Sequence, residues 1–265
     1  MESLLKKFNV NIIGNLESQN TIVFAHGFGS NQKVWRYITP NFKDNYRIVL
    51  FDLAGSKSIY NEEFNKLRYN TLWDYVDDFL NIFFKLELEN TIVVAHSVSC
   101  LISALTAIKY PNLINKIAFV CGSACYSNKK DYLGGLSEEQ SVEILGDMAD
   151  NYTKWIEKYV PIIMSNPDKP YFAEEFAESL KDLRPDIALL VFNMIMKLDY
   201  RQEIKQLNVP VLILQPEDDP FVPIQAGEYL RQAIPNNQYS FIKTSGHFPH
   251  LTNYRKIVEE IIQFI

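Results

Sequence analysis

Short apolar runs recur along this chain, and the stretches between them space their apolar residues three and four apart. TIVFAH (21–26), YRIVLFD (46–52), TIVVAHS (91–97), KIAFVCG (116–122), PVLILQP (210–216) and QYSFIKT (238–244) are the runs. Continuous apolar segments rich in Val, Ile and Phe read as strands buried on both faces by crossover helices. Helical spacing marks TLWDYVDDFLNIFFKL (71–86), SCLISALTAIKY (99–110), which Pro111 stops, and the closing YRKIVEEIIQFI (254–265). Alternating strand and helix predicts an α/β fold with a mainly parallel sheet flanked by helices.

One region breaks that rhythm. From 126 to 200 only helical patterns occur: SEEQSVEILGDMAD, NYTKWIEKYVPIIM, AEEFAESLKDL and RPDIALLVFNMIM. Gly134, Gly135, Pro161, Pro167, Pro170 and Pro185 punctuate them. The pattern therefore predicts a core domain from 1–125 and 201–265, with 126–200 inserted as a helical lid. The carboxyl edge of an open α/β sheet is where ligands bind, and a lid there would cover the site.

Charge narrows the partners. The net charge is −6 and the longest basic runs are the pairs Lys6–Lys7 and Lys129–Lys130, so no nucleic-acid footprint is present. MESLLKKFNVNII lacks the layout of a signal peptide, and no window has the apolar length of a membrane span. Cys100, Cys121 and Cys125 are an odd number in or beside apolar segments, which predicts reduced core thiols in the cytoplasm. Cys121 and Cys125 have no second ligand pair after them, so a metal site is not expected.

The chemistry centres on TIVVAHSVSC, where Ser97 follows a strand and opens a helix. A nucleophile elbow, G-x-S-x-G, uses glycines to relieve crowding at that turn. Here Ala95 and Ser99 hold those places, small enough to strain the pattern without forbidding it. A serine nucleophile needs a base, and the base an acid, in the chain order Ser, Asp, His for hydrolases of this kind. Asp218 and Asp219 both stand at a strand exit in ILQPEDDPFVP; the spacing from Asp219 to Pro223 resembles known acid loops and favours Asp219, with Asp218 as fallback. His247 follows in the loop TSGHFPH, after the next strand. His26 opens an HGFG loop, which nominates the backbone N–H groups of Phe28 and Val98 as an oxyanion hole. His96 is expected to pack or hydrogen-bond under the elbow. His247 and His250 form no metal pair, because Pro249 intervenes and no acidic motif accompanies them.

HGFGSNQKVW, HSVS, YLGGLSEEQ and DDPFVP…SGHFPH together resemble the RsbQ-like α/β-hydrolases. That family includes the bacterial stress regulator RsbQ and the plant karrikin and strigolactone receptors, and RPDIAL looks especially close to the latter. The likeness runs from about Ile22 to the C-terminal helix, and a serine two places after the nucleophile is a family feature. It implies an α/β-hydrolase fold, a Ser97–His247–Asp219 triad and a V-shaped lid of four helices over an apolar pocket. Position by position it nominates Phe28, Tyr126, Leu136, Ile144, Trp155, Tyr159, Phe176, Met196 and Phe221 for that pocket. Leu136 and Met196 stand where relatives often carry phenylalanine, Phe221 where a smaller residue is usual and Ala95 where glycine is. The pocket is therefore expected to be reshaped. The implied activity is a serine hydrolase acting without a cofactor on a small hydrophobic ester or lactone. The alternative is a ligand sensor with little turnover whose loaded state is read by a regulatory protein, in bacterial relatives a signalling phosphatase. A dehalogenase would want aspartate in place of Ser97.

Overall fold

The computed structural model describes residues 2–56 and 64–265. Its seven strands are β1 Asn11–Gly14, β2 Thr21–Ala25, β3 Arg47–Leu50, β4 Thr91–His96, β5 Ile114–Val120, β6 Val211–Asp218 and β7 Asn237–Ser245. They form one sheet in the order β1-β3-β2-β4-β5-β6-β7, parallel throughout except for β1, which runs antiparallel to β3. All five residues of β2 and all six of β4 are buried, as their unbroken apolar runs require. Each fully buried side chain of the Val, Ile or Phe kind contributes about 1.5–3 kcal/mol to folding.

The helices are α1 Glu2–Lys7, α2 Leu72–Lys85, α3 Val98–Lys109, α4 Glu138–Asp150, α5 Tyr152–Met164, α6 Pro170–Lys181, α7 Pro185–Met196, α8 Ile224–Ala233, α9 Pro249–Thr252 and α10 Tyr254–Phe264. α2 packs on α3, while α8 and α10 pack on β6 and β7. No helix of the described residues is long and apolar enough to cross a membrane.

Helices α4 to α7 lie between β5 and β6, and their ends are set locally. Ser137 Oγ accepts from the Gln140 N–H at 3.1 Å, and Gln140 Oε1 accepts from the Ser137 N–H at 2.8 Å, a reciprocal cap for α4. Asn151 caps α5, while Pro170 and Pro185 each occupy a first helical position, where a missing N–H costs nothing. Pro161 departs from its expected role as punctuation: α5 runs through it. Proline there removes one helical donor, and the buried face of Trp155, Ile156, Tyr159, Val160 and Ile163 holds the turn regardless.

Three further differences separate the pattern from the fold. β7 is an edge strand, mostly half-exposed, with Ile242 fully buried and Phe241 46% exposed. β1 is too short and too exposed to leave a hydrophobic signature; its pairing with β3 defines it. α8 carries Gly227 in its interior, a weak helix former, because a Cβ there would stand 2.5 Å from Gln215 Oε1.

Two histidines sit in the core beneath the sheet edge. His250 is fully buried, 4.7 Å from the Trp35 ring and 4.4 Å from the His96 ring. Burial lowers the His250 pKa to about 3, with the neighbouring His247 and Arg36 acting in the same direction. Burial also pushes His96 well below the ordinary imidazole range. Unfolding frees both to protonate near pH 6.5, so their contribution is complete above about 6.5 and is lost as pH falls below it, for His250 down to about 3. Lowering pH from about 7.5 to about 4.5 should therefore remove about 2–3 kcal/mol through His250, and His96 acts in the same direction. Urea midpoints at the two pH values measure this, and His250→Phe should flatten part of the loss; an unchanged wild-type midpoint would refute it.

Candidate active site

β4 ends at His96 and α3 begins at Val98, so Ser97 makes the whole strand-to-helix turn. Its φ of 55° and ψ of −124° are rarely adopted by residues with a side chain, a strain of about 1–3 kcal/mol. The turn is pinned from both sides. The Ser97 N–H donates to the Val120 carbonyl on β5 at 2.9 Å, and the Cys100 N–H donates to the Ser97 carbonyl at 2.9 Å.

The two non-glycine positions of the elbow have different fates. Ala95 is fully buried in register between Ala25 and Phe119. Ser99, also fully buried, donates its hydroxyl to the His26 carbonyl at 2.5 Å, tying the elbow to the HGFG loop. That loop needs close approach: a Cβ on Gly27 would meet His96 Nδ1 at 2.7 Å and Ser97 Cβ at 3.0 Å. His26 stiffens it, donating from Nδ1–H to the Gly27 carbonyl at 2.8 Å while Nε2 accepts the Leu53 N–H at 2.9 Å.

Of the two aspartates left open by the sequence, Asp218 is exposed and Asp219 is buried. Asp219 Oδ1 accepts the N–H groups of Phe221 at 2.9 Å and Val222 at 3.1 Å, and its Oδ2 accepts Nδ1–H of His247 at 2.7 Å. His247 Nε2 lies 2.9 Å from Ser97 Oγ. Three side chains from three separate loops thus form one continuous hydrogen-bonded chain.

The histidine loop is braced against α5. The Gly246 N–H donates to the Asp218 carbonyl at 2.7 Å, and the His247 N–H donates to the Ile163 carbonyl at 2.9 Å. Gly246 has φ +90°, and a Cβ there would stand 1.9 Å from the Met164 carbonyl oxygen. His96, one residue before the elbow, donates from Nε2–H to the His247 carbonyl at 2.7 Å. Gln215, buried in β6, braces the acid loop through Nε2–H to the Val222 carbonyl at 2.9 Å. A polar residue inside the apolar run VLILQP was its signal in the sequence.

Above the serine lies a narrow, mainly apolar cavity. Phe28, Tyr126, Trp155, Phe176, Met196 and Phe221 line it, together with Ser97 and His247. Leu136, Ile144 and Tyr159, nominated for the same wall, are buried behind it instead. The Leu136 N–H donates to the Tyr126 carbonyl, which holds that residue in the backbone pairing behind the wall. Tyr159 donates its hydroxyl to Asp147 on α4 at 2.9 Å, and Ile144 belongs to the buried face of α4. Ile163, Phe192, Ile195, Phe248 and His96 complete the lining. Helical spacing marked the first three only as buried, because the face a helix turns toward a cavity depends on its partners.

Among the described residues, His96, Cys121 and His247 place possible metal-ligating atoms within 4.8 Å of one another. Both His247 nitrogens already serve Asp219 and Ser97, and His96 Nε2 serves the His247 carbonyl. A metal there would have to dismantle the hydrogen-bonded chain.

The description alpha/beta hydrolase fold matches residues 20–198 and 192–254 of this chain. The chain is 35% identical to strigolactone esterase D14 of Arabidopsis thaliana over 94% of its own length and 93% of that protein's. It is 33% identical to karrikin insensitive 2 receptor CA of Petunia hybrida, over 97% and 95% of the two chains. The solved structure of olei00960, a hydrolase from Oleispira antarctica, is similar with a TM-score of 0.94 at 30% identity, covering 99% of this chain and 96% of that one. Backbone, elbow and extended sequence identity agree: the chain belongs to the α/β-hydrolase fold family and, within it, to the RsbQ-like group.

Proposed function

We propose that this hydrolase cleaves a small hydrophobic ester or lactone through an acyl-serine intermediate. The observation that carries this reading is the Ser97–His247–Asp219 chain of 2.9 and 2.7 Å contacts, set in the floor of an apolar cavity. Ser97 Oγ attacks the acyl carbon while its proton passes to His247 Nε2. Asp219 holds the imidazole with Nδ1–H toward itself and stabilises the imidazolium that forms. The tetrahedral oxyanion is received by the N–H groups of Phe28 and Val98. Val98 is the first residue of α3, so its N–H has no partner within the helix. Each such donor is worth about 3 kcal/mol in related chemistry. As the intermediate collapses, His247 returns the proton to the leaving alcohol. A water, deprotonated by His247, then releases the acid and restores Ser97.

Helices α4 to α7, within 126–200, act in this reading as the lid. Their aromatic and aliphatic side chains select an uncharged substrate and keep bulk water from the acyl enzyme. The three cysteines are free and buried, which suits a reducing compartment, and the cytoplasm is the proposed location.

A second reading is supported by the receptor among the relatives: the loaded cavity is sensed by a regulatory protein, with slow turnover or none. The two readings share every residue named above. Retention of a partner by Ser97→Ala as well as by wild type, in a pull-down with a candidate phosphatase, would favour sensing.

On a short p-nitrophenyl ester, Ser97→Ala should lower turnover by at least about 10³-fold. Equal rates for variant and wild type would end the enzymatic reading. Gly246→Ala should lose about 1–3 kcal/mol of stability in urea unfolding, because its methyl must displace the Met164 carbonyl. It should also lower kcat by about tenfold or more, since the loop that moves carries the base. A variant matching wild type on both measures would contradict this account of the loop.

A further inference from the structure

Helix α7 is apolar on more of its circumference than one packed face requires: from Pro185 to Met196 only Asp186 and Asn193 carry polar side chains. Two neighbouring stripes of it border two different spaces. Phe192 and Met196, one turn apart, line the cavity above Ser97. Val191 and Met194 line a second narrow cavity, whose other walls include Leu72 and Tyr75 of α2 and Val98 and Ile102 of α3. Ile195 and Phe28 line both cavities, so the two spaces meet at those side chains. The Phe28 ring also packs 5.5 Å from that of Phe192.

The second cavity is built for carbon. Among the described residues that line it there is no aspartate, glutamate, lysine or arginine. His26 has both ring nitrogens engaged with backbone, and Ser56 donates its hydroxyl to the Leu53 carbonyl at 2.6 Å. The Tyr75 hydroxyl is left without a hydrogen-bond partner. A charged chain end would lose its hydration there with no counter-ion to replace it. Position fixes what reaches this space. Phe28 and Val98, whose N–H groups receive the oxyanion in the hydrolase reading, both border the second cavity, so a chain carried by the acyl carbon starts beside it.

We propose that the second cavity is an acyl-chain subsite, which takes the far end of a linear, uncharged chain whose ester carbon is held at Ser97. Phe28 and Ile195, standing between the two spaces, set which chains reach it. This rests on the hydrolase reading and narrows its substrate class to esters of medium-length aliphatic acids. Each methylene moved from water into such walls raises affinity about fourfold, while a short acyl group ends in the first cavity and gains nothing from the second.

The test compares p-nitrophenyl octanoate with p-nitrophenyl acetate through the ratio of their kcat/KM values. Val191→Trp and Ala54→Phe each fill the second cavity from a half-buried position, on two different elements, so one poorly folded variant does not decide the result. Each should lower the octanoate-to-acetate ratio by about tenfold or more, the loss of room for about two methylenes. Ile195→Ala, which thins the partition, should raise it. An unchanged ratio in both filled variants, with Ser97-dependent turnover intact, would overturn the proposal. Binding is read separately by calorimetry in the Ser97→Ala background, where adding Val191→Trp should weaken the octanoate about tenfold more than the acetate. Wild-type turnover equal to that of Ser97→Ala would overturn the hydrolase reading and leave this binding comparison to decide the subsite. Equal octanoate affinity with and without Val191→Trp would then overturn it.

Discussion

The structure depends on one strained turn. Ser97 must stand above the sheet edge with its hydroxyl clear of the backbone, and at φ 55° and ψ −124° it does so against its own preference. Such a conformation persists only where its surroundings over-determine it. Here β4 on one side is buried throughout and α3 on the other is buried from Val98 to Ala107, and the adjacent strand takes the Ser97 N–H. Core burial thus supplies the free energy that keeps the hydroxyl exposed to the cavity. The replacement of a usual elbow glycine by Ser99 adds a bond from its hydroxyl to the HGFG loop. What reads as a weakened motif is locally a stronger tie.

The inserted helices do more than roof the cavity. The carbonyl of Ile163, near the C-terminal end of α5, receives the N–H of His247, and the next carbonyl, that of Met164, closes tightly over Gly246. Movement of α5 would therefore be felt by the base through one hydrogen bond and one close contact. Cavity shape and base position are coupled by this geometry. That coupling serves a hydrolase, which must exclude water, and a sensor, whose occupied state must differ from its empty one.

Beneath the apolar walls runs a layer of buried polar groups: His26, His96, Gln215, Asp219 and His250. Most are satisfied by backbone partners at loop ends, and those bonds align three loops that are distant in sequence. His250 is different, packed between rings with neither nitrogen bonded. An unpaired donor of that kind costs about 1–3 kcal/mol. It is tolerated because the ring stays neutral and contributes packing against Trp35.

Much of this was legible in the chain itself. Unbroken apolar runs marked β2, β4, β5 and β6, because strands covered on both faces leave no polar alternation. Ser97, Asp219 and His247 were legible because strand exits are where a sheet presents chemistry, so order along the chain maps to place in space. The pattern was silent on β1 and on Gly227 in α8, whose conformations are set by partners, a neighbouring strand and a glutamine. It also could not rank the helix faces. Ile144 and Tyr159 look as apolar as Trp155 and Phe176, yet the packing of α4 on α5 and α7 turned them away from the cavity and brought Ile163, Phe192 and Ile195 in, while Leu136 is held by its backbone pairing with Tyr126. Residue types and their spacing determined the fold and the chemistry, since both follow from periodicity and order; which buried side chain lines the cavity was decided only when distant elements packed.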